Sequence, residues 1–212
     1  EQMAQKWGTE SNVYSVRVLG EFPKDDDDCV IPRHLMESAI DRDIIIAGDD
    51  KVVWGLDVAR FGSDKSALCI RKGRSIVGKI ETWQGKDTMQ IAGIIKAKYD
   101  KVENYPAEKP SEIMVDSIGI GAGVVDRLRE MGLPARGVNV AESASVDMLY
   151  SRLRDELWFS ARDFFDKKDV TMTNDEDFIE VMCSVKYAYT SLGKLKVESK
   201  DEMKKRGLPS PD

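Results

Sequence analysis

The sequence is poor in the residues that usually carry enzyme chemistry. His34 is its single histidine, and Cys29, Cys69 and Cys183 lie too far apart to form a Cys-x-x-Cys pair. A histidine-based triad, a His- or Cys-ligated zinc site and a disulfide framework therefore lack material, and three buried thiols in a reducing cytoplasm are expected. Only 7 of 212 residues are proline and 42% are hydrophobic, which excludes disorder and allows about 70% of the unfolded surface to be buried. No apolar run approaches the roughly 18 to 20 residues of a membrane span, and no basic region followed by an apolar core stands at the N-terminus. A soluble, unsecreted protein is expected. Any acid-base or metal chemistry must come from carboxylates.

The net charge of −6 is unevenly placed. Residues 1–50 hold 5 basic and 12 acidic side chains, whereas residues 51–212 hold 27 and 26. The acidic part contains the alternating Val16, Val18 and Leu19, the run Asp25 to Asp28, and a helix-like piece from Pro32 to Ala39. It is read as a leader or interdomain linker packing on the core, with the aspartates in a solvated loop, since adjacent aspartates point in different directions. The remaining domain spans residues 51–212.

From residue 51 the pattern changes to short β-branched runs: Lys51 to Ala59, Ser66 to Lys72 and Ser75 to Trp83, with Lys72–Gly73–Arg74 as a tight hairpin link. These form an antiparallel meander. Asp87 with Gln90 resembles a capping box ahead of a helix carrying Ile91, Ile94, Ile95 and Tyr99. Glu112 to Ser117 is a buried strand, Gly121 to Met131 a helix closed by Gly132, and Ala135 to Val140 another strand, which implies a parallel crossover. Met148 to Phe165 is an amphipathic helix with Leu149, Leu153, Leu157 and Phe164 on one face and Arg152, Arg154 and Asp155 elsewhere. Asp175 to Ser184 forms a further helix. Lys186 to Glu198 reads as a hairpin turning at Leu192–Gly193, followed by a basic tail. The fold class is α/β.

Two strands end in carboxylates. Val52, Trp54 and Leu56 share one face of the first strand and leave Gly55 and Asp57 on the other; Ile113 and Val115 likewise leave Met114 and Asp116 opposite, ahead of Gly119, Gly121 and Gly123. Ligands of open α/β sheets sit outside the carboxyl ends of such strands. As neighbours, the two aspartates repel unless a divalent cation lies between them, and oxygen-only ligation selects Mg²⁺ or Mn²⁺. Taken singly, Asp57 is equally a turn former and Asp116 a helix cap; together they favour a metal site able to hydrolyse phosphodiesters.

The strings GLDVARFGSDKSAL, IMVDSIGIGAGVVDRL, GVNVAESASVDMLYSRLRDELW and ESKDEMKKRGLPSPD, in this order, resemble the C-terminal nuclease domain of the large terminase subunit of tailed, headful-packaging bacteriophages. The leader string VYSVRVLGEFP resembles the segment that joins that nuclease to the packaging motor. The resemblance implies a ribonuclease H-like mixed sheet, an antiparallel meander plus parallel strands, with flanking helices and an extra hairpin. It also implies an Mg²⁺- or Mn²⁺-dependent endonuclease, with one or two ions, that cuts concatemeric double-stranded viral DNA in the cytoplasm of the infected host. Its partners would be an ATPase motor domain of the same protein, absent from this stretch for want of a Walker A loop, a small terminase subunit and the portal; no membrane is involved. The family acids fall on Asp57, on Asp116 and, at the start of a motif that here ends early, on Asp212, with Asp201 as the fallback. Asp64 would contribute through a water or form a turn. Six cations, Lys194, Lys196, Lys200, Lys204, Lys205 and Arg206, precede Asp212 and suit a DNA backbone, although charge alone fits a solvated helix face equally.

Two other readings compete: a nucleotide-binding module of the actin and sugar-kinase type, and a silent domain docking on DNA or capsid protein. GIGAG matches neither GxGxxG nor GxxxxGK[ST], and one chain of this length has room for only one copy of the kinase-type fold.

Overall fold

A computed structural model describes residues 28–59 and 64–208. The expectations for Val16, Val18, Leu19, Asp25 to Asp27 and Asp212 lie outside the described residues. Among the described residues no helix is long and apolar enough to cross a membrane.

The architecture is a mixed seven-stranded sheet with helices around it, the ribonuclease H-like arrangement expected. Strand β1 (Val52–Asp57) lies at its centre, pairing antiparallel with β2 (Lys65–Lys72) and parallel with β5 (Pro110–Asp116), which pairs parallel with β6 (Ala135–Val138). The third strand of the meander is split into β3 (Ser75–Ile76) and β4 (Glu81–Gln84), both antiparallel to β2, because Gly78 adopts a positive φ of 70° between them. The tight turn at Gly73 and Arg74 is as expected. A short β7 (Thr171–Met172) closes the edge beside β3.

The first core lies on one face of this sheet. Val52, Trp54, Leu56, Leu68, Ile113 and Val115 point into it and meet Ile91, Ile95 and Tyr99 of α2 (Thr88–Val102) and Val124, Val125 and Leu128 of α3 (Gly121–Glu130). Helix α2 starts on the anticipated capping box: Asp87 Oδ1 accepts from the Gln90 amide at 2.7 Å, and Gln90 Oε1 from the Asp87 amide at 3.0 Å.

A second core packs beside the sheet. It joins Val30, Ile31, Met36 and Ala39, around α1 (Arg33–Glu37), to Phe159 and Phe165 of α4 (Leu153–Asp166), Ile179 of α5 (Glu176–Ser184), Val197 and Met203. The hairpin forms its own two-stranded sheet, β8 (Tyr187–Tyr189) and β9 (Leu195–Val197), with Gly193 at φ 75° in the turn. The expected basic tail is in part a helix, α6 (Lys200–Lys205), capped by Ser199 and anchored by the buried Met203. Hydrogen bonds from the Ser199 amide and hydroxyl hold the Glu202 carboxyl below its usual range.

Helix α4 departs from its reading. It begins at Leu153 rather than Met148, and Leu149, Leu157 and Phe164, expected on the buried face, are exposed. Asp155, expected at the surface, is 3% exposed. The reason is a pair of backbone donors: Val197 N reaches Asp155 Oδ1 and Arg152 N reaches Oδ2, both at 2.9 Å, which offsets the cost of burying the charge. Of the three cysteines, only Cys29 is buried; Cys69 and Cys183 are half-buried.

Candidate functional site

Pairing of β1 with β5 runs in register to Leu56 opposite Val115, so Asp57 and Asp116 are the next residues on neighbouring parallel strands, whose backbones run about 4.8 Å apart in any sheet. Leu56 and Val115 face the first core; alternation turns both aspartates to the opposite face. There they line one cleft of about 500 Å³ together with Ser151, Arg152, Arg154, Asp155, Lys196, Ser199 and Lys200. The carboxylates form one wall and the cations stand on elements from the second core.

The backbone behind Asp116 is tightly built. Its Oδ1 accepts from the Ile118 amide at 3.0 Å, and α3 starts so close that a Cβ on Gly121 would lie 1.7 Å from the Asp116 carbonyl oxygen. Only glycine permits that approach. An apolar cavity of about 440 Å³ adjoins the aspartates beneath α4 and α5, walled by Met114, Val138, Leu157, Trp158, Phe178 and Met182. Cys69 lines it too, and burial pushes its thiol up to about 11, which makes it a poor nucleophile at neutral pH.

The remaining expected residues are dispersed. Asp201 is exposed in the first turn of α6 and does not join the pair: among the described residues no three His, Cys, Asp or Glu side chains come together closely enough to hold an ion. Asp64 is half-buried just before β2. Lys196 and Lys200 line the cleft, whereas Lys194, Lys204, Lys205 and Arg206 do not. Arg206 is committed to the fold, with its Nη2 donating to Glu198 Oε1 at 2.5 Å and to the Ser184 carbonyl at 2.7 Å.

Arg154 and Asp155 were missed as members of this cleft. Burial holds the Arg154 guanidinium below its ordinary value, against the opposing charges of Asp155 and Glu198, and its Nη1 donates to the Glu198 carbonyl at 2.9 Å. The available signal was an aspartate in the first turn of a helix, a position that favours an acid and backbone capping.

Fold and cleft together define a ribonuclease H-like domain with two aspartates, Asp57 and Asp116, at the carboxyl edge of its sheet. No protein-family model matches the chain. A protein of Enterobacteria phage P7 named "Probable terminase, large subunit" is 29% identical over 228 aligned positions, covering 100% of this chain and 44% of that protein, so the chain spans less than half the length of this relative. Among solved structures, the nuclease domain of the large terminase subunit gp2 of bacterial virus Sf6 superposes with a TM-score of 0.70 at 16% identity, over 86% of this chain and 94% of that one. A mutant of that domain with manganese and beta-thujaplicinol gives 0.73 at 17% identity. The large terminase nuclease of thermophilic phage G20c with bound magnesium gives 0.60 at 17% identity, over 84% and 89%. The resemblance read in the sequence is borne out along the chain.

Proposed function

We propose that this chain is the nuclease domain of a large terminase subunit, an endonuclease that cuts double-stranded concatemeric DNA during genome packaging. The observation that carries the reading is the side-by-side placement of Asp57 and Asp116 in an open cleft whose other wall is cationic. The relative from phage P7 and the nuclease structures from Sf6 and G20c support it, the latter two also through the manganese and magnesium they bind.

The donor set suits a hard divalent ion: Asp57 and Asp116 line the cleft, the third lining carboxylate, Asp155, has both oxygens taken by backbone amides, and among the described residues no thiol or imidazole lines it. Asp57 and Asp116 would hold one or two Mg²⁺ or Mn²⁺ ions, with Asp212 as the third acid that the terminase resemblance implies; Asp201 forms no three-acid group with them among the described residues. Such ions, when bound, activate a water and stabilise the leaving oxygen of a phosphodiester. The protein's own part is positional. Ile118 N fixes the direction of Asp116, while Arg152, Lys196 and Lys200 bind backbone phosphates across the cleft, with Lys204 and Lys205 extending the basic surface. The motor domain, a small terminase subunit and the portal would be its partners in the cytoplasm of the infected host.

Mn²⁺-dependent nicking of a supercoiled plasmid tests the reading. The expected result is cleavage with Mn²⁺ or Mg²⁺ that chelation stops. ATP-dependent thermal stabilisation without cleavage would instead establish the kinase-like module, and neither response would leave a docking domain.

A further inference from the structure

The first turn of α4 lies between the two walls of the cleft and bonds to both. Arg154 N donates to the Val140 carbonyl at 3.0 Å, just beyond β6, whose Val138 is paired with Asp116. On the other side Asp155 Oδ1 accepts from Val197 N, and Arg154 Nη1 reaches the carbonyls of Glu198 at 2.9 Å and Val197 at 3.5 Å. The segment leading into the helix joins in: Leu195 N donates to Leu149 O at 2.7 Å and Ser151 N to Leu195 O at 3.2 Å. Strand β9 has only β8 as a ladder partner within its sheet, so its other edge is held by this turn and the segment before it.

We propose that Arg154 and Asp155 are positioning residues that hold β9, and with it Lys196 and Lys200, across the cleft from Asp57 and Asp116. The inference rests on reading the cleft as a DNA site and adds how its width is set. Asp155 is suited to this by burial. Both of its oxygens are spent on backbone amides, so its charge serves to fix two chain segments to each other rather than to bind a ligand. Arg154 does the same for the carbonyls, and its planar donors suit this better than an ammonium would.

The test uses Asp155→Asn and Arg154→Met in the whole chain, with hydrogen exchange and binding of a short DNA duplex in chelator over a range of salt. Both variants should lose exchange protection at Val197 while the amides of β1 and β5 keep theirs. The slope of log affinity against log salt should become shallower by about 1 to 2, as for the loss of one or two phosphate contacts. Adding Lys196→Ala to either variant should then change the slope less than it does in the wild type, a coupling that general destabilisation does not produce. Unchanged protection at Val197, or deprotection with an unchanged slope, overturns the proposal. If Lys196→Ala alone leaves the slope unchanged, the DNA reading of this cleft fails and the proposal falls with it. Should Asp155→Asn not fold, Arg154→Met decides on the same readings.

Discussion

The two cores of this protein are built by opposite routes. The first takes its side chains from consecutive elements between Val52 and Ala135, one sheet face covered by α2 and α3. The second is stitched from distant stretches, Val30 to Ala39 and Phe159 to Met203, and depends on contacts made across well over a hundred residues. The catalytic carboxylates we propose sit on the first and the facing cations on the second, so the cleft is a joint between a locally encoded half and one that exists only once the chain has closed on itself. One consequence is that the halves should respond differently to damage.

The largest effect is expected on chemistry. Asp57→Asn or Asp116→Asn should reduce plasmid cleavage to background while melting temperature stays level or rises, because each change removes like-charge repulsion in the first half. Retained cleavage in both variants excludes the site. Next in size are changes to the second core. Phe159→Ala should cost about 3 to 5 kcal/mol and Ile31→Ala about 2 to 5 kcal/mol in denaturant unfolding. A small loss at Ile31 would mean that the early segment is only laid against the domain.

A smaller loss, about 3 kcal/mol, is expected from Gly121→Ala, where the new methyl meets the Asp116 carbonyl. Because it strikes the strand end itself, cleavage should fall further than stability predicts; parallel losses would show that Asp116 is positioned independently of α3. Charge reversal at Lys204 and Lys205 should weaken DNA binding in a salt-dependent way, and a salt-independent loss would argue against phosphate contacts. The smallest effect is in the thiols. Burial raises Cys69 and Cys183 from 9.0 to about 11. A folded-state pKa above the unfolded one stabilises the fold fully below pH 9, and that contribution is lost as pH rises through 11. Alkylation of the native protein at pH 8 should accordingly be slow and accelerate on unfolding, which a thiol-reactive dye reports.

Legibility in the sequence followed the same division. Alternation of apolar residues in β1 and β5 showed which face carried Asp57 and Asp116, because that signal is local, whereas the pairing of β1 with β5, with the meander and α2 between them in the chain, was a condition that the sheet then met. The capping box at Asp87 and the turn at Gly73 were visible for the same reason. Asp155 was not. A charged residue on an amphipathic helix reads as exposed, and what buries it is the amide of Val197, 42 residues further on. The apolar Leu157 misled in the opposite sense: it lines the cavity beside the carboxylates, while Phe159 and Phe165 fill the core. Likewise Arg206 looked like one more basic residue until its guanidinium met Glu198 and the Ser184 carbonyl.

The order of residues was enough to determine β1 and β5, their alternation and hence an aspartate at the carboxyl end of each, since period-two patterning acts over a few residues; their pairing, across the meander and α2, belongs to the folded sheet. Only the tertiary structure decided what faces those aspartates. The cations of β9 and α6 come to the cleft through hydrogen bonds between backbone groups and the side chains of Arg154 and Asp155. Every residue offers such backbone partners equally, so no pattern in the letters marks which ones will be used.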